Sequence, residues 1–396
     1  MKAVILAGGV ARKMFPLTDS RPKAMLRIAN KPLVEYVMMT AKSAGIKDFV
    51  FIVGYKNEQI RDYFGNGKKW GVKITYRTQE EPIGTADALK HAEDVLTEPF
   101  LLIHSDVLTS KEDIKKIIGC EGLAIGIKKG INTKEYGTVV NKRGYAKKFI
   151  EKAENSESDY INTGIYKLDP SVFEAIDETP ISVRGEYELP ESIQILVDAH
   201  KVKIKCVEIQ EWLNITRPWD LLEMNEKIFP KKGLIEGTVE ENVHIDGNVI
   251  VGKGTIIRSG AYITGNVIIG ENCDIGPNCR IRGTTSIGNK CHIGSFVELK
   301  NSIIMDGTKV PHLNYVGDCV IGERCNLGAG AKIANLRFDH KEIVDSSRHK
   351  LGALIGDDVN IGINACINAG TFIGDNAIIG PGVLASGTIM PKCKVF

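Results

Sequence analysis

Two groups of residues in this sequence have the types and spacing to hold phosphate. The first is Leu6-Ala7-Gly8-Gly9-Val10-Ala11-Arg12-Lys13-Met14-Phe15-Pro16-Leu17-Thr18, followed by Arg21-Pro22-Lys23. Glycines let the backbone turn tightly and bring N–H groups up to phosphate oxygens, while fixed cations neutralise the charge. A Gly-Gly turn alone is ordinary strand-to-helix geometry, so the surrounding cations carry the chemical signal. The second is the pair Arg282 and Lys300, eighteen residues apart in a stretch whose aliphatic residues return every six. If three six-residue sides close one coil, the two cations occupy the same position in successive coils. They then stack about 5 Å apart, the strand spacing, and make a phosphate site.

The elements that must position these groups are legible as two patterns. Up to about Pro230, apolar strands at Ala3–Leu6, Phe49–Val53, Phe100–Ile103 and Leu123–Ile127 alternate with helical periodicity at Pro32–Ala44, Asn57–Phe64 and Thr85–Leu96. Such alternation predicts an α/β domain with a mostly parallel, Rossmann-like sheet, and ligands beyond the carboxyl ends of its strands. After Pro230-Lys231-Lys232-Gly233 the period becomes six, from Val239 through Ile245, Val251, Ile257, Ile263, Ile269, Ile275, Ile281, Ile287 and Ile293 to Leu299. Units of six form the short sides of a triangular coil. The expected domains are 1–229 and 239–396, joined by a linker at 230–238. The ladder breaks twice by 22 residues, from Leu299 to Ile321 and from Ile333 to Ile355. Each break is expected to be one full coil with a four-residue extruded loop, and loops on rigid scaffolds collect function.

The first half resembles the sugar-1-phosphate nucleotidyltransferases, whose signature reads Gly-x-Gly-Thr-Arg-x-x-Pro with a downstream Arg-Pro-Lys. Aligned on Pro16, Ala11 replaces the second Gly, Arg12 the Thr and Lys13 the Arg, so a point charge stands where a bidentate fork is usual. Further matches follow in order: Gln79 with Pro82-Ile83-Gly84-Thr85; His104-Ser105-Asp106, with Ser105 for Gly; Glu135-Tyr136-Gly137; Phe149-Ile150-Glu151-Lys152; Asn162-Thr163-Gly164; and Trp212-Leu213-Asn214. The resemblance implies that Leu6, Gly8, Gly9, Gln79, Gly84 and Thr85 bind the nucleotide. Arg12, Lys13 and Lys23 would serve its phosphates, Asp106 and Asn214 would hold Mg²⁺, and Gly137, Glu151, Lys152 and Asn162 would bind the sugar phosphate. Taken singly, Asp106 reads as a helix cap, Glu151-Lys152 as a solvated ion pair and Asn162 as a turn residue; their common order favours the site.

The second half is similar to the left-handed parallel β-helix proteins, and handedness comes from that similarity. Its segment Val310-Pro311-His312-Leu313-Asn314-Tyr315-Val316-Gly317-Asp318 resembles the acetyltransferase half of the bifunctional uridylyltransferase/acetyltransferases. There a His acts as general base toward a sugar amine attacking acetyl-CoA, a task that suits an imidazole with a pKa near neutral. By this match His312 is the base, Tyr315 and Asn335 surround sugar and acetyl group, and Arg282, Lys300 and, in the insert, Lys341 hold the sugar phosphate. The resemblance implies sugar phosphates, acetyl-CoA and UTP or dTTP as substrates, and a homotrimer or a dimer of trimers.

Composition narrows the field further. A formal charge of +2 without a dense Lys/Arg tract gives nucleic-acid binding no electrostatic support. The apolar stretches fall short of a membrane span, and the run after Lys2 is too short for a signal peptide. Cys273, Cys279, Cys291 and Cys325 take the small fifth position of repeat units, so the nine cysteines read as core residues in a reducing cytoplasm. Two other classes stay open: a single-activity nucleotidyltransferase of glucose or mannose type whose helix only oligomerises or regulates, and a non-catalytic regulatory subunit.

Overall fold

A computed structural model describes residues 1–130, 136–151 and 157–396. The chain forms two compact units. The first comprises Met1–Val10, Pro22–Met25 and Leu33–Asn214; the second comprises Ala11–Arg21, Leu26–Pro32 and Ile215–Phe396.

The first unit is built on a nine-stranded sheet. Lys73–Thr78, Asp48–Val53, Lys2–Ala7 and Phe100–His104 lie side by side in that order, all parallel. Tyr160–Leu168 then enters antiparallel against Phe100–His104, followed by Leu123–Lys129, Ile204–Glu208, Tyr145–Ile150 and Thr138–Lys142. The parallel strands are continuous apolar runs because helices cover both faces; Val4, Ile5, Phe51, Ile52, Leu101 and Leu102 are fully buried. Helices Leu33–Ser43 and Glu58–Phe64 match the periodicity, whereas the expected helix from Thr85 stops at Lys90 and continues as a short 3-10 turn, Glu93–Val95.

The second unit is a parallel β-helix. One wall stacks Thr238–Val239, Ile256–Ile257, Asp274–Ile275, His292–Ser295, Lys309–His312, Asn326–Leu327, Asn360–Ile361, Ile378–Ile379 and Lys394–Val395. The other two walls share a second sheet that wraps a corner. From Val251 onward the ladder's aliphatic residues point inward, and Ile257, Ile263, Ile275, Ile281, Ile287, Ile293 and Leu299 are completely buried, whereas Val239 is exposed and Ile245 half-buried. All nine cysteines are free. Cys273, Cys279, Cys291, Cys319 and Cys325 are buried in the coil as small apolar groups, with burial pushing the thiols of Cys279, Cys319 and Cys325 up to about 12. Cys120 and Cys206 are half-buried and Cys366 and Cys393 are exposed, so the core reading fails for these four.

The two 22-residue steps have a different basis from the one expected. Leu299 pairs with Val316, and Ile287 with Ile304, which pairs in turn with Ile321. The first step is therefore four sides, through Ile304, Val310 and Val316, two of them only five residues long. No loop is extruded there, and His312 ends a wall strand opposite Ser295. One short side passes through Asn301, which adopts a positive φ of 47° to turn the corner early. The second step is a single corner with a long insert, closed by an antiparallel bridge between Leu336 and Lys350. Ile343 of the insert is buried and packs on Gly370.

Candidate active sites

In the first unit the candidate nucleotide residues gather at the carboxyl ends of the parallel strands. Gly8 follows the first strand and lies against Gln79, whose Oε1 would be 3.2 Å from a Cβ at Gly8. Gly54, unremarked in the sequence, is tighter still: its Cβ would sit 2.8 Å from the Gly8 carbonyl oxygen. Gly9 is exposed and open, and Leu6 is half-buried in the core beneath. Gln79 donates to the Gly84 carbonyl at 2.9 Å and to Asp87 at 2.8 Å, which ties the two halves of the candidate nucleotide segment together. Gly84 has φ 130° and leaves no room beside the Tyr187 backbone, so only glycine fits. Thr85 Oγ1 accepts from the Leu189 N–H at 3.0 Å, at the start of the distant helix Leu189–Asp198.

Asp106 and Asn214 meet through a two-stranded ladder. The strand Val107–Thr109 pairs antiparallel with Trp212–Asn214, putting Asn214 opposite Val107. Lys23 Nζ donates to Asp106 Oδ2. Burial works to keep the Asp106 carboxyl protonated, but the Lys23 ammonium, then His104, outweighs it and holds the group below the ordinary carboxylate range. Burial pushes the His104 imidazole down. Asn214 Oδ1 is buried with no hydrogen-bond partner among the described residues. An ionised carboxylate beside an unused amide oxygen suits a hard cation. Among the described residues no group of three or more His, Cys, Asp or Glu could hold a metal alone, so such a cation would need phosphate oxygens to complete its shell.

The candidate sugar residues are joined to one another by hydrogen bonds and close packing. The Asn162 N–H donates to the Gly137 carbonyl at 2.8 Å, and Glu151 Oε2 would lie 2.7 Å from a Cβ at Gly137. Asn162 Oδ1 accepts from the Gly164 N–H at 3.2 Å and the Tyr166 hydroxyl at 2.9 Å. Trp212 Nε1 donates to the Thr163 carbonyl at 3.0 Å, and its ring meets Tyr136 edge-on at 5.1 Å. Arg184, which no sequence motif marked, reaches Glu151 at 3.1 Å and Glu188 at 2.7 Å. Glu135 and Lys152 lie outside the described residues.

Arg12 and Lys13 belong to the second unit and are exposed. Their loop is closed by Ala11, in the left-handed region with φ 51°, whose carbonyl accepts from the Met14 N–H at 2.9 Å and Thr18 Oγ1 at 3.2 Å. Met14, Pro16, Leu17 and Thr18 are buried beneath it.

Along the β-helix, Arg282 stands opposite Lys300, and Lys300 opposite Gly317. Each cation carries a carboxylate partner. Arg282 Nε donates to Glu298 at 2.7 Å, and Lys300 Nζ to Asp318 at 2.8 Å. Asp318 is buried and also accepts from Asn301 at 2.8 Å and from Asn335 Nδ2, which donates in turn to the Tyr315 hydroxyl at 3.3 Å. Burial, then Asp318 and Glu298, pushes the Tyr315 phenol up. Lys300, Tyr315 and Asn335 are thus one network centred on Asp318. Arg282 with Glu298 forms a separate ion pair one coil along, close enough for both charges to act on the Tyr315 phenol. Neither acid was assigned a role from sequence, although Asp318 ends the quoted motif and Glu298 shares the outward face of Lys300. His312 is exposed, three residues from Tyr315 across the corner at Leu313 and Asn314. Lys341 is exposed in the insert, its N–H held by Asp339 at 3.2 Å, and no hydrogen bond or ion pair among the described residues joins it to the network.

A nucleotidyl transferase family model matches residues 2–230, a GMPPB C-terminal domain model residues 263–362, and a model of the hexapeptide repeat of succinyl-transferase residues 352–384. The bifunctional sugar-1-phosphate nucleotidylyltransferase/acetyltransferase of Sulfurisphaera tokodaii is 41% identical, over 98% of this chain and 97% of that protein. The bifunctional protein GlmU of Methanocaldococcus jannaschii is 39% identical, over 100% and 97%. A crystal structure described as a glucose-1-phosphate thymidylyltransferase of Bacillus anthracis, with sucrose, superposes with TM-score 0.52 at 25% identity, over 57% of this chain and 94% of that one.

Proposed function

The chain belongs to the family of bifunctional sugar-1-phosphate nucleotidylyltransferase/acetyltransferases, a nucleotidyl transferase fold followed by a left-handed hexapeptide β-helix, and from that premise we propose that it makes UDP-N-acetyl amino sugars in two steps. In the first, the amine of glucosamine-1-phosphate, or its galacto counterpart, attacks the thioester carbonyl of acetyl-CoA. A C–N bond forms and the C–S bond breaks. His312 takes the proton that the amine loses and passes it to the departing sulfur, so that CoA leaves as its thiol. Arg282 and Lys300 receive the sugar phosphate, and Tyr315 and Asn335 orient the sugar and the acetyl oxygen. Lys341 is the candidate on the insert for the same phosphate.

In the second step a phosphate oxygen of the N-acetyl sugar-1-phosphate attacks the α-phosphorus of UTP or dTTP. The bond to the β-phosphate oxygen breaks and pyrophosphate leaves. No covalent intermediate is required, because the nucleophile is already an anion; what matters is alignment and charge. Mg²⁺, held by Asp106 and Asn214, would neutralise phosphate charge when bound. Gln79, Gly84 and Thr85 receive the base, with Leu6, Gly8 and Gly9 against the nucleotide. Lys13, Lys23 and Arg12 meet the phosphates. Gly137, Glu151 and Asn162 take the sugar hydroxyls, with Lys152 as a further candidate.

The observation that carries the two-activity reading is the stacked pair Arg282 and Lys300, with Lys300 tied through Asp318 to Asn335 and Tyr315, three residues along the chain from His312. The test is a pair of assays on one preparation. Glucosamine-1-phosphate with acetyl-CoA should release CoA, and N-acetylglucosamine-1-phosphate with UTP and Mg²⁺ should release pyrophosphate. His312→Ala should abolish the first and spare the second. The GMPPB C-terminal domain match over residues 263–362 favours a second reading, nucleotidyl transfer alone. Pyrophosphate release without any CoA release across a panel of amino-sugar phosphates would select it.

This reading calls for a reducing cytoplasm, which suits nine free cysteines. No helix among the described residues is long and apolar enough to cross a membrane. A homotrimer, or a dimer of trimers, is the assembly expected.

A further inference from the structure

One corner of the β-helix carries a column of carboxylates that the two reactions leave unused. Glu323, Asp357 and Asp375 each follow an Ile-Gly step at the end of a wall strand, and Asp306 follows Ile304-Met305. Half of each aspartate is spoken for by the coil. Oδ1 of Asp306 accepts the Asn289 N–H at 2.7 Å, Oδ1 of Asp357 the Glu323 N–H at 2.8 Å, and Oδ1 of Asp375 the Asp357 N–H at 2.7 Å. The second oxygens of Asp306 and Asp357 face arginines from the N-terminal segments of the same unit. Arg27 Nη1 lies 3.0 Å from Asp306 Oδ2. Arg21 Nη2 donates to Asp357 Oδ2, its Nη1 to Glu323 Oε1 at 2.9 Å, and Ser20 Oγ to Asp357 Oδ2 at 2.7 Å.

Arg21 is 4% exposed. Burial works against its charge, but Asp357 and Glu323 overcome this and raise its pKa further. A planar guanidinium fork can satisfy two carboxylates at once, whereas an ammonium cannot reproduce that geometry. Removing either partner leaves a buried charge uncompensated. The segment held this way is Ala11–Arg21, which carries the exposed Arg12 and Lys13 and is turned back on itself by the Met14 and Thr18 bonds onto the Ala11 carbonyl. Pro22 and Lys23 follow directly along the chain.

We propose that Arg21 is a positioning residue for nucleotidyl transfer: clamped on Glu323 and Asp357 of the β-helix, it fixes the loop from which Arg12 and Lys13 meet the triphosphate. The proposal rests on the nucleotidyl reading above. Cations on a loose loop would lose much of their alignment with the phosphates, and alignment is where this chemistry draws its rate. The β-helix then serves nucleotidyl transfer as well as acetylation.

The experiment compares full-length wild type with Arg21→Ala, Arg21→Lys and Asp357→Asn. The amide introduced by Asp357→Asn would keep the oxygen that caps the Glu323 N–H and lose only the charge facing Arg21. Each variant is assayed for pyrophosphate release over a range of UTP concentrations and, separately, for CoA release. The expected result is a rise of at least about tenfold in KM for UTP in Arg21→Ala and Asp357→Asn, partial recovery in Arg21→Lys, and CoA release within about twofold of wild type in all three. Asp358→Asn, which removes a partner of Arg324 but none of Arg21, should behave as wild type. Unchanged KM and kcat in Arg21→Ala and Asp357→Asn would overturn the clamp, as would a parallel loss of both activities, the mark of a purely structural role. Wild type that releases no pyrophosphate would instead sink the nucleotidyl reading, and this proposal with it.

Discussion

Asp318 receives three donors at once, from Lys300, Asn301 and Asn335, and it does so with almost no access to water. Its charge is therefore what holds Lys300 and Asn335 in one arrangement. Asp318→Asn keeps the shape and removes the charge, and should lower kcat/KM for acetylation by about tenfold to a hundredfold while sparing pyrophosphate release. Steady-state assays of both reactions check it. A second residue speaks through pH. Burial, with Asp357 and Asp19 nearby, raises the Asp375 carboxyl to about 6. Between roughly pH 4 and pH 6 the folded chain then holds a proton that the unfolded chain has released, so this group's contribution to stability falls as pH rises through that window. Above pH 6 the ionised group costs the fold up to roughly 3 kcal/mol. Asp375→Asn should accordingly raise the melting temperature at pH 8 and leave it nearly unchanged at pH 4, as thermal denaturation at the two pH values would show. At this scale the sequence was informative where a period or a motif did the work. Arg282 over Lys300 followed from eighteen-residue spacing alone. Arg21 on Asp357 did not, because nothing local links residues 336 positions apart.

At the scale of elements, the apolar runs named three of the four strands in the parallel block and left out Lys73–Thr78, a polar-rich strand without an apolar run, while the six-residue ladder named the coil. What spacing could not separate was addition from subtraction. A 22-residue step fits three sides plus a loop, and equally four sides with two residues missing. Only the pairing of Leu299 with Val316 decides between them. The outcome matters for His312, which sits on a wall strand and inherits its rigidity. Gly294 shows how little slack that strand has, since a Cβ there would lie 1.8 Å from the Pro311 carbonyl oxygen, one residue before His312. Gly294→Ala should therefore cost about 2–4 kcal/mol of stability and depress acetylation more than nucleotidyl transfer. Gly9→Ala, where nothing lies within 4 Å, should leave the melting temperature unchanged. Denaturant titrations of the two variants make the comparison.

For the molecule as a whole, the change of period near Pro230 marks where the coil begins, but packing follows other lines. Ala11–Arg21 and Leu26–Pro32 are part of the second unit, with the Asn30 amide on the Ile287 carbonyl at 2.7 Å and the Ala29 N–H on Asn225 at 2.7 Å. Such long-range pairing leaves no periodicity to read. Residues 1–229 expressed alone would retain Arg21 and Arg27 without their carboxylates, and should unfold in a broad, weakly cooperative transition by circular dichroism where the full chain melts sharply. Light scattering on the full chain should return three or six copies.

The clamp on Arg21 also sets a timetable. Most coils close against a neighbour only 17 or 18 residues away and can form soon after they leave the ribosome, whereas Arg21 must wait for Asp357. At roughly 5–20 residues per second, the intervening chain takes on the order of twenty seconds to a minute to synthesise. For part of that interval the strands of the first unit are complete, yet the segment that carries Arg12 and Lys13 still lacks the carboxylate partner of its Arg21. If Arg21 positions that loop as proposed, a nascent chain would not grip triphosphate until nearly all of its second unit exists, and a truncated product would be released in the same unfinished state.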